Sequence, residues 1–333
     1  MYKNKTILLT GGTGSFGKEY TNFILKNYGK IIKKLIIYSR DELKQFEMSQ
    51  TIDKKFFNKI RFFIGDVRDK SRIYRALSGV DYVIHAAALK QVSTAEYNPM
   101  EFVKTNIIGA QNLIEACIDE GVKKLIALST DKAASPINLY GATKLCSDKL
   151  FVSANTYSGN KVSFSVVRYG NVMGSRGSVL PTFINRIKNK KTLEVTDEKM
   201  TRFNITLIEG VKMVDNILRN SVGGEIVVPK IPSFRILDMV KALNSKSKYK
   251  VTGIRPGEKI HEDLITVSDS LNTYEGKYYY YILPNQKEKK LINFVKKNKL
   301  KKVKKNFFYN SGSNKNFLTI SELKKIINSN VKI

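Results

Sequence analysis

The chain has 333 residues, 42% of them hydrophobic, and carries 58 lysines and arginines against 29 acids, a formal charge of +29. That is enough for one large globular unit or two unequal ones with a sizeable core. No run approaches the 18 uninterrupted apolar residues of a membrane span, and two cysteines, Cys117 and Cys146, exclude a disulfide framework and fit a reduced, cytoplasmic setting. The charge has two readings: an anionic partner such as nucleic acid or membrane, or a composition bias in which Lys, Asn, Ile, Tyr and Phe are all plentiful. The excess is spread along the chain, without an RNA-recognition aromatic signature or zinc-finger spacing. The compositional reading is therefore preferred, with no nucleic-acid or membrane partner expected.

In chain order, Met1-Tyr2-Lys3-Asn4-Lys5 leads straight into an apolar run, with no signal-peptide layout. Strands are expected at Thr6–Thr10, Leu35–Ser39, Ile60–Ile64, Tyr82–His85, Leu125–Ser129 and Phe164–Arg168. Helical patterns lie between them, such as Glu101–Glu120 with Pro99 near its start. This alternation predicts an α/β fold: a doubly wound parallel sheet with right-handed crossovers over residues 1–170. Beyond about residue 170 the segments shorten and carry Gly174, Gly177, Pro181, Pro229, Pro232 and Pro256. Residues 171–333 are read as a smaller substrate-binding region interleaved with the first. A lysine-rich stretch from Lys287 to Lys305 is a surface loop or helix, and a last helix is expected after Ser321 as N-cap.

The first strand runs into Thr10-Gly11-Gly12-Thr13-Gly14-Ser15-Phe16-Gly17 and then a helix. Gly11, Gly14 and Gly17 permit a tight turn, backbone approach to a pyrophosphate and close helix–strand packing, with the helix N-terminus facing the phosphates. This strand–turn–helix context makes the first region a Rossmann-type dinucleotide site. After the second strand, Ser39 and Arg40 stand where NAD-binding folds put an acid, followed by Asp41 and Lys44. A 2′-phosphate favours positive charge and hydroxyl donors, so NADP is expected over NAD. Asp66 and Val67 follow the third strand, where an acid can accept from the adenine amino group. Ala86 and its neighbours follow the fourth, where small residues let a flat cofactor lie on the backbone, and Lys90 points into the cleft. His85 is expected to be packed. No His, Cys, Asp or Glu spacing suggests a metal.

The chemistry is placed on Ser129-Thr130-Asp131-Lys132 and on the helix opening near Asn138. Tyr140 and Lys144 are four apart on one helical face. An ammonium beside a phenol favours the phenolate, which can take a proton from a sugar hydroxyl.

With the glycine turn, the alanine strand end and Tyr140-x-x-x-Lys144 together, the chain resembles the extended short-chain dehydrogenase/reductases acting on nucleotide sugars. Within them it is most similar to the soluble inverting UDP-N-acetylglucosamine 4,6-dehydratases that serve pseudaminic-acid-type sugar synthesis. The matching stretches are Thr10–Lys18, Tyr38–Gln45, Phe62–Asp69, His85–Lys90, Ser129–Leu150, Ser165–Ser178, Met200–Phe203, Gly223–Pro232 and Gly253–His261. Asn204 stands where a bulky aromatic is expected in that family. The resemblance implies a lyase that regenerates a tightly bound NADP each turnover. Tyr140 with Lys144 would oxidise C4, Lys132 would remove the C5 proton, Asp131 would protonate the C6 hydroxyl, and Thr130 would hold the substrate near C4. The Lys132 amine must then be neutral, which desolvation and nearby Lys144 would favour. It further implies that Lys90, Asn171, Val179, Thr196, Arg202, Arg255 and Glu258 line the UDP side, and that the protein is a homo-oligomer, dimer or hexamer. Two alternatives stand beside it: a C4 or C3/C5 epimerase of UDP-N-acetylhexosamines, and a basic nucleic-acid-binding protein on the same scaffold.

If the charge is compositional, any nucleic-acid binding seen at low salt will be lost near physiological salt. Tight binding that survives 150 mM salt in a titration would reinstate the nucleic-acid reading.

Overall fold

A computed structural model describes residues 1–175, 177–244, 248–284 and 288–330. Arg176, inside one of the matched stretches, and residues 286–287, which open the lysine-rich stretch, lie outside them. The six expected strands form as β1 (Thr6–Thr10), β2 (Lys34–Ser39), β3 (Ile60–Ile64), β4 (Tyr82–His85), β5 (Lys124–Thr130) and β6 (Ser163–Tyr169). They lie in the order β3-β2-β1-β4-β5-β6, all parallel. Every residue of β1 is buried, as a strand covered by helices on both faces requires, which is why its centre reads as an unbroken apolar run. The order reverses at β1, between β2 and β4, so a crevice opens at the carboxyl ends of the strands.

Among the described residues the sheet has ten strands and does not stop at residue 170. Strand Ile226–Pro229 adds parallel to β6, and Tyr279–Ile282, Thr273–Glu275 and Lys301–Lys302 continue it antiparallel. The lysine-rich stretch therefore supplies a helix, Lys289–Lys297, and then an edge strand, where lysines discourage further pairing. A second, smaller core gathers Leu180, Phe183, Leu193, Phe234, Met239 and Leu323 around helices Ile236–Leu243 and Ile320–Asn330. That last helix is capped by Thr319, not Ser321. The Thr319 hydroxyl accepts from the Glu322 N–H at 3.2 Å while the Glu322 carboxylate accepts from the Thr319 N–H at 2.8 Å, a reciprocal pair. No described helix is long and apolar enough to cross a membrane.

The stretch expected as one helix, Glu101–Glu120, is split into Pro99–Phe102, a π-helical segment Val103–Ile108 and Gly109–Asp119. Its cause is visible at Asn106. The buried amide accepts from the Leu89 N–H and donates to the Leu89 carbonyl, both at 2.9 Å, and donates to Thr143 at 3.1 Å. From this widened turn Asn106 ties the loop after β4 to the helix Leu139–Tyr157.

Beneath the strand ends lies a buried charge cluster. Arg168 of β6 is 2% exposed and donates to Asp148 at 3.3 Å, to Asp269 at 3.4 Å and to the Leu264 carbonyl at 3.3 Å. Asp148 also accepts from Ser129 at 2.7 Å. Replacing Arg168 by Met leaves Asp148 buried without its ion-pair partner and is expected to cost about 3–5 kcal/mol in denaturant unfolding. The double variant R168M/D148L should recover part of that loss.

Candidate active site

The crevice is a cleft of about 600 Å³ that runs from the glycine turn to the end of β5. Gly11 has φ +65°, and a Cβ there would lie 2.8–2.9 Å from the Ala86 and Ala87 backbone. At Gly17 a Cβ would overlap the Gly12 backbone, so glycine alone lets the helix Ser15–Tyr28 start this close to β1. That helix has Gly14 at its cap with no side-chain cap bond, leaving its N-terminal end to face the cleft. A cradle of this kind fits the pyrophosphate of a dinucleotide. Gly11, Thr13, Gly14, Ser15, Phe16, Gly17, Ser39, Arg40, Asp41, Lys44, Asp66, Val67, Ala86 and Lys90 all line the cleft.

At the end of β2, Asp41 caps the helix Glu42–Gln50 through the Lys44 N–H at 3.0 Å and pairs with the Lys44 ammonium at 2.5 Å. Its charge is compensated locally. Ser39 accepts from the buried Gln45 amide at 2.9 Å, and the Arg40 side chain stands at the rim, 3.5 Å from Asp66. Burial alone would raise the Asp66 pKa, but Arg68 and Arg40 outweigh it and hold the carboxylate below its usual range.

The other end of the cleft is assembled by a single close approach. After β5, Asp131–Ala133 forms a 3₁₀ turn, and Asn138 caps the helix Leu139–Tyr157 by accepting from the Gly141 N–H at 2.8 Å. A Cβ on Gly141 would overlap the Lys132 carbonyl oxygen. Glycine here lets the helix bring Tyr140 and Lys144 against the turn that carries Asp131 and Lys132. Thr130 donates to Asp131 Oδ1 at 3.0 Å, and Lys132 Nζ lies 3.1 Å from that same oxygen. Asp131 is fully buried, and its Oδ2 has no partner among the described residues. Thr130, Asp131, Lys132, Tyr140 and Lys144, with Tyr169 and Asn171, line the cleft.

Two electrostatic expectations are corrected. Burial pushes the Tyr140 phenol up to about 12, and the opposing pull comes from Lys132 and a hydrogen bond with Thr130. Lys144 instead donates to the Leu128 carbonyl at 2.9 Å, and its own pKa is lowered by burial, with Asp148 opposing. Lys132 is not made neutral by its surroundings. Burial lowers its pKa, but Asp131 and Glu262, each 3.1 Å from the amine, outweigh burial and hold it above the ordinary lysine range.

Of the residues expected on the UDP side, Lys90 and Asn171 line the cleft, whereas Val179, Thr196, Arg202, Arg255 and Glu258 do not. Thr196 donates to the Met200 sulfur at 3.0 Å. Arg202 is buried with Nη1 committed to the Thr201 and Ile260 carbonyls at 2.7 and 3.0 Å, which leaves less of its guanidinium for a phosphate. Arg255 is largely exposed and pairs with Glu258 at 3.8 Å, on a loop that Asn138 reaches by donating to the Gly257 carbonyl at 2.8 Å. Asn204 is buried with its Oδ1 unpartnered among the described residues. Sequence reasoning missed Glu262, which lies one residue beyond the Gly253–His261 stretch and has no local signal for its role.

An open α/β sheet with a dinucleotide cradle at its switch point and a Tyr-x-x-x-Lys helix beside an Asp-Lys turn defines the class. Residues 7–284 match the family described as polysaccharide biosynthesis protein, and the chain belongs to that family. A protein of Campylobacter jejuni named UDP-N-acetylglucosamine 4,6-dehydratase (inverting) is 55% identical over 335 residues, covering 98% of each chain. A UDP-glucose 4-epimerase of Rickettsia bellii is 46% identical over 290 residues, 85% of this chain and 84% of that one. Among solved structures, Pen from Bacillus thuringiensis superposes with a TM-score of 0.88 at 36% identity, covering 99% of this chain and 98% of that chain.

His85 sits under the cleft as a packed residue, 1% exposed, with Nδ1 2.8 Å from Thr10 Oγ1 and its ring against Phe151. Burial, then the Lys144 charge, lowers its pKa from 6.5 to about 3. Between those values the unfolded chain binds a proton that the folded chain refuses, so His85 makes stability fall as pH drops below 6.5. The His85 imidazole signal should stay fixed in an NMR titration from pH 8 to 4, and His85→Gln should flatten the acid loss of stability. A midpoint near 6.5 would show instead that water reaches the ring.

Proposed function

We propose that the protein is a hydro-lyase that converts UDP-N-acetylglucosamine to a UDP-2-acetamido-2,6-dideoxy-hexos-4-ulose. The observation that carries this reading is the Asp131-Lys132 pair at the end of β5, pressed against Tyr140 by the Gly141 contact. Oxidation at C4 alone needs a single base. Loss of water across C5 and C6 needs a second base for the C5 proton and an acid for the C6 oxygen, and the pair supplies both within one turn. The strong likeness to a named 4,6-dehydratase over the full chain supports the same assignment.

A bound nicotinamide cofactor supplies hydride acceptance from C4 and hydride return to C6. Tyr140 takes the C4 hydroxyl proton. Its phenol, raised by burial, needs positive charge nearby; Lys132 supplies that pull, and Lys144 lines the same cleft. Thr130 orients the substrate at C4. Once C4 is a ketone, the C5 proton is acidic, and Lys132 removes it after passing its own proton to Asp131. Asp131 then protonates the departing C6 hydroxyl. Lys90 and Asn171 face the nucleotide end of the substrate. NADP is the preferred cofactor, because Arg40 stands half-exposed at the rim of the ribose site, only loosely paired with Asp66 at 3.5 Å, while Asp41 is neutralised by Lys44. Inversion at C5, giving the β-L-arabino sugar, follows the name of the Campylobacter relative, and a cytoplasmic place in pseudaminic-acid-type glycan synthesis follows from that product.

The epimerase reading draws on the Rickettsia relative. C4 epimerisation leaves C5 and C6 untouched and gives Asp131 and Lys132 no task.

An NMR time course in D2O with catalytic NADP, run again with NAD, tests both. A new C6 methyl, deuterium at C5 and L-arabino couplings are expected, with faster turnover on NADP. A product that keeps its C6 hydroxyl would move the protein to the epimerases. Lys132→Ala should retain partial C4 oxidation and lose dehydration by roughly 10²–10⁴-fold.

A further inference from the structure

We propose that Glu262 is a positioning residue for Lys132: from behind the cleft wall it holds the amine beside Asp131 and stabilises the ammonium that forms when Lys132 takes the C5 proton. The inference rests on the reading above, in which Lys132 is the base.

Glu262 is 2% exposed and does not line the cleft. Its Oε1 lies 3.1 Å from Lys132 Nζ, and Asp131 Oδ1 lies 3.1 Å from the same nitrogen. Lys132 keeps 23% of its side chain exposed toward the cleft, so the two carboxylates grip an amine that still reaches substrate. Glu262 itself is placed with care. Its N–H donates to the Ser311 hydroxyl at 2.9 Å, and its carbonyl accepts from the Ser311 N–H at 2.8 Å. Ser311 bonds Thr201 at 2.8 Å, and Thr201 bonds His261 at 2.8 Å. Oε2 is buried with no partner among the described residues, so the carboxylate keeps acceptor capacity for an ammonium that turns. A salt bridge serving stability alone would be expected to satisfy both oxygens.

The charged and titratable groups that face Lys132 are Asp131 and Glu262, which favour its ammonium, Arg202 and Lys90, which oppose it, and the Tyr140 phenol. Arg202 Nε lies 3.9 Å from Glu262 Oε1 and balances part of the acidic charge. The proton count closes. Before the step, the proton shared by Lys132 and Asp131 rests on Asp131. The amine takes the C5 proton, the C–H electrons form the C5–C6 double bond, Asp131 passes its proton to the C6 oxygen, and water leaves. The cluster ends as ammonium and two carboxylates. Glu262 exchanges no proton in this sequence, so the positive charge created at Lys132 forms beside its carboxylate.

The test is Glu262→Gln, which keeps a hydrogen bond and removes the charge, with Glu262→Asp as conservative rescue and a melting curve on each. With wild type forming the 6-methyl product, E262Q should lower kcat by about 10²-fold, leave KM nearly unchanged, and move the pH limb assigned to Lys132 down by about one pH unit or more. E262D should recover part of kcat. Wild-type kcat and an unmoved limb in folded E262Q would overturn the inference and leave the dehydratase reading intact. A second readout is independent of turnover: a ¹³C NMR titration of labelled lysines, with the Lys132 signal assigned by its loss in Lys132→Arg. A lowered Lys132 midpoint in E262Q supports the inference, and an unmoved midpoint overturns it. Wild type that forms no 6-methyl product would defeat the dehydratase reading, and the titration would still decide whether Glu262 holds Lys132.

Discussion

A buried ion pair, Arg168 with Asp148, is the constraint on which the rest of this molecule turns. It joins β6 to the helix that carries Tyr140 and Lys144, and through Ser129 it reaches the end of β5. Arg168 extends the same cluster to Asp269 and the Leu264 carbonyl, so the C-terminal region is bound to the parallel sheet directly below the cleft. Charges this deep are tolerated only when paired and hydrogen-bonded. The arrangement therefore fixes the relative positions of the three segments that meet at the site. Glu262 lies two residues before Leu264, and it is positioned partly by this tie.

The two lysines of the site are treated in opposite ways by the same low-dielectric surroundings. Lys144 loses hydration and gains a backbone carbonyl, with Asp148 only partly offsetting the burial, and its pKa falls. Lys132, partly open to the cleft, sits between two carboxylates, and its pKa rises. Burial penalises a charge, yet an opposite charge at about 3 Å acts through the same weak screening and can exceed the penalty. In the proposed reaction this makes Lys132 and Asp131 a proton-sharing pair, whose resting state is ionic and whose reactive state is the neutral tautomer. The Tyr140 phenol, raised by burial, is pulled back by Lys132 and Thr130. The chemistry of the site is thus a matter of one small cluster, not of independent residues with fixed roles.

Close packing sets the geometry as strongly as charge does. Glycines at 11, 17 and 141 mark three places where backbone meets backbone with no room for a side chain. The first two shape the glycine cradle at the end of β1, and the third sets the helix of Tyr140 and Lys144 on the Asp131-Lys132 turn. The π-helical segment at Val103–Ile108 does related work by turning Asn106 onto Leu89 and Thr143, so the loop bearing Lys90 is anchored to that helix.

Local pattern was enough for the strands of the parallel sheet, the glycine turn and the Tyr140–Lys144 helix, because each is written in neighbouring residues: apolar runs for strands covered on both faces, glycine where φ or approach demands it, a four-residue spacing for one helical face. The residues expected to meet a cofactor, with Thr130, Asp131 and Lys132, line one cleft, since they lie at or just beyond the carboxyl ends of neighbouring parallel strands. What local pattern could not reach depends on distance along the chain. The split of Glu101–Glu120 comes from Asn106 answering Leu89 and Thr143, and the choice of Thr319 over Ser321 as cap comes from the reach of Glu322. Arg202 and Arg255 have the right chemistry for phosphates, but the fold commits one to internal carbonyls and leaves the other outside the cleft. Glu262 stands 130 positions from Lys132, with nothing in its neighbours to announce the contact. Composition and spacing specify which groups a chain owns. The folded backbone alone decides which of them come within 3 Å of each other, and at that distance the charges, not the residue types, set what each group can do.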